Sequence, residues 1–363
     1  MRLGAHAETV IEWLALRLNL GPKPLADTQA AFQFARIIMA ASRAGLFEAL
    51  QDGGRTAQEI AAARGTDPRA TAKVLDALLA HGYLRYRNGL YELNRLSRKW
   101  LLADSPHTLA HKLDFQEIEW RWTEGFDRWL LDGTARDMHG TLSPKEWHRY
   151  QWGMRDFSTA PATEVAWRSR LPKGARALLD IGGSHGFYSV QMCRRHPELT
   201  ATILELPEAI PSAAEILARE GLERRVVHVP GNALEDDLGT EIYDAVLLAN
   251  LIHHFDAEQN LRLAQKVARA LRPGGVFMIV DAIRIASPAE ANRPSRRLGA
   301  VLDVYFALTS TSGTWSVEAI QEWQRSAGLR ILRPIWLKTL PGAALLEAMK
   351  PGASNAAVGT GFV

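Results

Sequence analysis

Two histidines, His253 and His254, stand side by side after the apolar run Ala245-Val246-Leu247-Leu248-Ala249-Asn250-Leu251-Ile252. Imidazole changes charge near neutral pH, so the pair is suited to moving a proton. About seventy residues upstream, Leu178-Leu179-Asp180-Ile181-Gly182-Gly183-Ser184-His185-Gly186 joins an apolar run to a glycine-rich turn. Glycines let backbone turn sharply and approach a ligand closely. Glu205 ends the next apolar run, Ala201 to Leu204, where a carboxylate can accept both hydroxyls of a ribose. No three glycines fall in the dinucleotide spacing, and the Lys-Ser/Thr of a phosphate loop is missing. The pattern therefore predicts a nucleoside cofactor with no pyrophosphate to cradle. The glycines alone would also fit a plain strand-to-helix turn; Asp180 before them and Glu205 after them argue against it.

The elements that must hold these residues alternate. Apolar strands are expected at Ala177–Ile181, Ala201–Leu204, Val226–Val229, Ala245–Ala249 and Val276–Val280, with helices between most of them, notably Leu261 to Leu271. Such alternation predicts a doubly wound parallel sheet, whose ligands bind at the carboxyl ends of the strands. Ile331–Trp336 and Ala343–Ala348 read as a closing antiparallel pair, and 351–363 as a loose tail.

The first part of the chain reads as helical. Val10 to Leu20 reads as an amphipathic helix. Phe32, Ala35, Ile38, Met39, Ser42 and Leu46 recur at helical spacing and predict a buried stripe. Thr56-Ala57-Gln58-Glu59 is a capping box that opens a helix stopped by Gly65, and Asp67-Pro68 opens the next. Asn88-Gly89 between alternating segments predicts a hairpin. Helix, turn, helix, hairpin is a winged-helix unit.

Composition narrows the classes. The chain has 363 residues, 47% hydrophobic and 23% charged, as expected of a globular protein of about two domains. One cysteine, Cys193, excludes an intrachain disulfide and favours a cytoplasmic location. The net charge of +3 is too mild to argue for nucleic acid. Val10–Leu20 is too short to span a membrane.

On these motifs, with Glu205-Leu206-Pro207, Pro230-Gly231-Asn232-Ala233 and Leu271-Arg272-Pro273-Gly274-Gly275, the chain resembles the two-domain S-adenosylmethionine-dependent O-methyltransferases of plant caffeate and bacterial polyketide type. The likeness covers roughly residues 30–350. It implies an α/β fold, with a seven-stranded Rossmann-like methyltransferase domain (166–350) preceded by a winged-helix dimerisation domain (1–110). A helical linker (111–165) would line the acceptor site. It also implies S-adenosyl-L-methionine held by Asp180, Gly182, Gly183, Gly186, Glu205, Leu206, Gly231, Asn232, Ala233, Ala249 and Asn250. Two departures stand out: Asn232 where relatives usually carry aspartate, and Ser184 where many carry a third glycine.

The likeness places His253 on the catalytic histidine, and His254 where aspartate usually precedes an aromatic, here Phe255. His253 is thus expected to be the general base for methyl transfer to a hydroxyl of an aromatic or polyketide-like small molecule, and His254 a capping or packing residue behind the site. Asp281 matches the first of two acids that flank the base. The second falls near Thr314, where the sequence offers no carboxylate. That gap leaves room for an acceptor needing less base, or for carbon or nitrogen methylation. A relative that binds the cofactor without transferring its methyl group is a further class. A metal is not expected, because adjacent histidines rarely share an ion and no ligand set completes one.

Trp120, Trp122, Trp129, Trp147 and Trp152 crowd the linker, and with Tyr150, Met154, Phe157, Tyr305 and Phe306 they suggest an aromatic acceptor pocket. Core or dimer packing would also account for many of them. Met154 matches a residue that packs on the acceptor ring in the family. Arg284, Arg293, Arg296 and Arg297 around Glu290 read as a solvated loop or, more sharply, as a contact for an anionic acceptor. Arg69, Lys73, Arg85 and Arg87 could touch DNA phosphates, but Asp67, Asp76 and Glu92 dilute that face. The resemblance implies a homodimer, and no nucleic acid or membrane partner is expected.

Overall fold

The computed structural model describes residues 7–135, 138–291, 297–310 and 312–352. The chain divides into two compact units between Glu119 and Trp120. Arg293 and Arg296, and the tail from 353 onward, lie outside the described residues.

In the N-terminal unit the expected punctuation is present. Thr56 Oγ1 accepts from the Glu59 amide at 3.2 Å while the Glu59 carboxylate accepts from the Thr56 amide at 2.7 Å, opening the helix Ala57–Arg64. Gly65 closes it in the left-handed conformation. Asp67 Oδ1 accepts from the Ala70 amide at 2.8 Å and starts the helix Pro68–Ala80. The hairpin β1 (Leu84–Arg87) and β2 (Leu90–Leu93) turns at Asn88 and Gly89, both at positive φ, the mirror-image turn that matches strand twist. Phe47, Leu50, Ile60, Leu75 and Leu78 form the core. Of the helical stripe predicted from Phe32, Ile38 and Leu46 meet this core, whereas Phe32 itself is 48% exposed. The helix Val10–Arg17 buries none of its residues.

The second unit is built on one sheet. Its strands are β3 (Ala177–Ile181), β4 (Thr200–Glu205), β5 (Val226–Pro230), β6 (Tyr243–Ala249), β7 (Leu271–Ala282), β8 (Arg330–Ile331), β9 (Ile335–Trp336) and β10 (Ala343–Met349). The order is β5-β4-β3-β6-β7-β10-β8, with β9 also pairing β10. β3 to β7 run parallel, and β10 is antiparallel to β7, β8 and β9. The chain builds outward through β4 and β5, then returns to β6 on the other side of β3. This reversal is the switch point at which open α/β sheets bind ligands. Leu178, Leu247 and Val280 pack on one face and Leu179, Val246, Leu248 and Ile279 on the other. Burial on both faces explains why these strands read as continuous apolar runs.

Two strands differ from expectation. β7 starts five residues earlier than Val276, because Arg272–Gly275 forms an irregularity in the ladder rather than a loop: Tyr243 pairs with Leu271, then Ala245 with Val276. The single strand expected over Ile331–Trp336 is two short pairings, because Pro334 between them has no amide hydrogen to give the ladder. Among the described residues no helix is long and apolar enough to cross a membrane.

Candidate active site

Asp180 is fully buried near the end of β3. The next five residues turn the chain into the helix Phe187–Arg195. A Cβ on Gly183 would lie 2.5 Å from the Asp180 carboxyl carbon, so only glycine lets the backbone cross the carboxylate. Gly186 sits at φ +72, and its Cβ would meet Ile203 at 2.6 Å. Ser184 also takes a left-handed conformation, φ +52, one that glycine adopts without steric cost.

Polar side chains brace this turn. Glu205 accepts from the Ser184 amide through Oε2 and from the Leu206 amide through Oε1, both at 2.8 Å. Ser184 Oγ bonds Gln151 Oε1 on the helix Pro144–Arg168. His228 on β5 meets the Ser184 carbonyl through Nε2 at 2.8 Å. His185 Nδ1 accepts from the Phe187 amide at 3.1 Å. Burial, reinforced by Arg155 and His228, pushes the His185 ring down to about 3, so it stays neutral. Gln151, His185 and His228 were not foreseen as parts of the site. His185 lies inside the glycine motif, but no spacing in the sequence announces that Gln151 and His228 reach it.

The two carboxylates here are not ordinary surface acids. Burial raises Asp180 to about 7; a hydrogen bond from Ser189 opposes the rise and Glu205 adds to it. Ser189 Oγ donates to Asp180 Oδ2 at 2.7 Å, whereas Oδ1 is buried with no partner among the described residues. Burial also raises Glu205, against the two amides it accepts from.

A cavity of about 450 Å³ opens over these strand ends. Gly182, Glu205, Leu206, Gly231, Asn232, Ala233 and Asn250 line it, as do His139, Trp147, Tyr150, Gln151, Ser184, His254 and Phe255. Asp180, Gly183, Gly186 and Ala249 stand behind the lining. Asn232 Oδ1 already accepts from the Leu234 amide at 3.0 Å, and Asp236 Oδ2 accepts from the Asn232 amide at 2.7 Å. The Asp236 carboxylate, four residues on, is thus held beside Asn232. A second hollow of about 460 Å³ lies among residues 16–33, and Lys23 is the one charged group in its lining. It lacks the paired acids and imidazoles of the first.

His253 and His254 form a short helical turn after β6. His253 is 2% exposed, and its Nδ1 lies 2.9 and 3.0 Å from the two oxygens of Asp281, itself 1% exposed. Asp281 Oδ1 also accepts from the Ala282 amide at 2.7 Å. The Phe306 ring stacks on the His253 ring at 3.9 Å. Ser312 Oγ donates to the carbonyls of His253 and Phe255, tying the segment after the helix Arg297–Thr309 to this turn.

Three features depart from the sequence reading. His254 is not behind the site; it lines the cavity, its ring 4.4 Å from His253 and 5.0 Å from His139. Near Thr314, where the sequence offers no carboxylate, Asp303 Oδ1 accepts from the amide of buried Thr314 at 3.0 Å and from its hydroxyl at 2.5 Å. Asp303 lies one turn before Phe306 on the same helix. Of the residues expected at the acceptor, Tyr150 lines the cavity, whereas Met154, Phe157, Tyr305 and Phe306 do not. Phe157 is 36% exposed, and Phe306 reaches the site only through its stack on His253.

The residues present fit S-adenosylmethionine. Glu205 offers two oxygens at the end of β4 for a ribose, and Gly182, Gly231 and Asn250 bring backbone to the same cavity. The cavity has the volume range of small-molecule sites.

Known proteins agree. Residues 116–329 match an O-methyltransferase domain, and residues 26–103 an O-methyltransferase dimerisation domain. The chain is 27% identical, over 89% of its length and 93% of the relative's, to a 3-hydroxy-5-methyl-1-naphthoate 3-O-methyltransferase of Streptomyces sahachiroi. It is 25% identical, over 91% and 96%, to an N,N-dimethyltransferase of Streptomyces rimosus. In fold it is similar to human N-acetylserotonin methyltransferase, crystallised with S-adenosylmethionine: TM-score 0.78, 17% identity, covering 96% of this chain and all of that one. The protein is an S-adenosylmethionine-dependent methyltransferase, and the chain belongs to the O-methyltransferase family.

Proposed function

We propose that the chain transfers the methyl group of S-adenosylmethionine to a hydroxyl of an aromatic or polyketide-like small molecule, with His253 as general base. The observation that carries this is the buried His253–Asp281 pair, which does not itself line the cavity but stands next to His254, which does, in a cavity whose residues suit the cofactor.

The bound cofactor supplies an electrophilic methyl group on a sulfonium. The protein must align the acceptor oxygen with it and take the acceptor's proton. A phenol titrates near ~10 and an imidazole near ~6.5, so full transfer in water is uphill by roughly 5 kcal/mol. Asp281 narrows the gap. Accepting from Nδ1–H fixes the tautomer, leaves Nε2 as the proton acceptor, and favours the imidazolium that forms. A sulfonium nearby favours the phenolate. Such a positioned base contributes about 10²–10⁴-fold. His253→Ala should therefore cut turnover at least ~100-fold while S-adenosylhomocysteine still binds. Unchanged turnover would remove His253 from the mechanism.

A second reading, transfer to nitrogen, is favoured by the Streptomyces rimosus relative. NMR of the methylated product separates the two. The match to a dimerisation domain supports a homodimer, to be weighed by light scattering.

A further inference from the structure

Ser184 sits where a side chain is least welcome, at φ +52 inside the glycine turn. Glycine would relieve that backbone, so what the serine adds is its hydroxyl. All three of its polar groups are engaged, each by a different element. Glu205 on β4 takes the amide, His228 on β5 meets the carbonyl, and Gln151 on the helix Pro144–Arg168 accepts from the hydroxyl. The same stretch holds that helix at two further points. The His185 ring hydrogen-bonds the Met154 main chain, and the Arg155 guanidinium lies 4.3 Å over the Phe187 ring.

Gln151, Met154 and Arg155 continue a stripe that begins at Trp147 and Tyr150, because residues three and four apart share one face of a helix. Trp147, Tyr150 and Gln151 line the cavity, and Gln151 is 1% exposed. One end of the stripe is thus cavity wall, and the other end holds the turn that suits the cofactor. Farther along the helix, Pro161 has no amide hydrogen to give the carbonyl four residues back, so the helical ladder is interrupted just beyond these contacts. The wall segment therefore leans on the turn for its position.

We infer that the Ser184 hydroxyl and Gln151 are a positioning pair through which a bound cofactor stiffens the cavity wall formed by Trp147 and Tyr150. The contacts are few. A ribose that donates to Glu205 fixes the carboxylate that holds the Ser184 amide. The Ser184 hydroxyl passes that restraint to Gln151, next to Tyr150 in the chain and one helical turn from Trp147. The wall is then set for its acceptor after the cofactor is in place. This goes beyond the choice of base and holds for transfer to oxygen, nitrogen or carbon alike.

The test follows amide hydrogen exchange by mass spectrometry in the full chain, with and without S-adenosylhomocysteine. Each protein is saturated according to its own dissociation constant from calorimetry, so a change of affinity does not enter. In the natural protein the ligand should slow exchange over 147–155 about tenfold, the worth of one hydrogen bond. Ser184→Ala and Gln151→Leu should each abolish that slowing while slowing over the turn 182–187 persists. The double variant should lose no more than either single one. A general weakening of the fold would instead speed exchange with and without ligand and add up in the double variant. Ser184→Gly should behave as Ser184→Ala does; loss in the glycine variant alone would assign the effect to backbone freedom and overturn the inference. Slowing that survives in Ser184→Ala or Gln151→Leu, or none in the natural protein, overturns it as well. If Gln151→Leu does not fold, the two Ser184 variants decide. The affinity of Glu205→Gln reads the ribose contact separately, so failure there and failure here are distinguishable.

Discussion

Replacing Asp281 by asparagine tests the proposed proton path with little change of shape. In the natural pair both carboxylate oxygens lie within 3.0 Å of His253 Nδ1, and Oδ1 also accepts from the Ala282 amide. An asparagine that keeps the Ala282 bond through its oxygen leaves that oxygen 2.9 Å from Nδ1 and sets its NH₂ where the second carboxylate oxygen stood, 3.0 Å from the same nitrogen. The Nδ1–H tautomer, which leaves Nε2 to act as base, then loses one acceptor and meets a donor in its place. A positioned base contributes about 10²–10⁴-fold, and a base no longer held in its tautomer forfeits most of that, so Asp281→Asn should lower kcat about a hundredfold or more. The loss should be largest for the least acidic acceptor, because that acceptor asks most of the base. S-adenosylhomocysteine affinity, read by calorimetry, should stay within a fewfold. A fall in kcat of less than tenfold, or a loss that is the same for acidic and weakly acidic acceptors, would refute the pair as the proton path.

Three further outcomes follow from the site. Glu205→Gln gives up the charge on the expected ribose acceptor, so S-adenosylhomocysteine should bind about 10–100-fold more weakly by calorimetry; a change under threefold would detach Glu205 from the cofactor. Asp180 is raised from 3.8 to about 7, so the native state holds its proton more tightly than the unfolded chain. Its contribution to stability is complete below about pH 4 and is lost as pH rises through about 7, the reverse of a salt-bridged acid. The difference in stability between the natural protein and Asp180→Asn, from denaturant melts without cofactor, should therefore fall across that window, and a flat difference would contradict the burial argument. Thr314→Val removes the buried hydroxyl that holds Asp303 and should cost about 1–2 kcal/mol in a denaturant melt; an unchanged midpoint would mean that the contact holds nothing in place.

The sheet and the glycine turn were legible because their causes are local. Each parallel strand is buried on both faces and so reads as an unbroken apolar run, and the turn after β3 needs glycine where a Cβ would strike Asp180. Errors arose where a neighbour decides. Pro334 splits the strand expected over Ile331–Trp336 for want of one amide hydrogen, a local signal that the apolar pattern outweighed. Phe32 has the right period but no core beneath it. Asp303 reaches Thr314 across eleven residues, and His139 meets His254 across more than a hundred; nothing in residue type or spacing encodes such meetings.

This difference in legibility follows the division of labour within the site. The residues suited to the cofactor lie at or just after strand ends that the sheet register sets side by side: Ile181 pairs with Leu204, Glu205 with Pro230 and Ala249 with Val280. Changing one of them disturbs the ladder or the turn, which is why their types can be read from local sequence. The remaining wall comes from side chains on separate elements, His139 on one short turn, Trp147 and Tyr150 on a long helix, His254 on another turn. None of these carries a strand pairing, so each can change type without unmaking the sheet. That freedom is where members of one fold can diverge in acceptor. The backbone of the Ile252–His254 turn is held by Asn260 and Trp315, which bond the Ile252 carbonyl at 3.0 and 3.1 Å, and by Ser312, which bonds the His253 carbonyl at 3.1 Å, so the turn is anchored through its main chain and not through the side chain at 254.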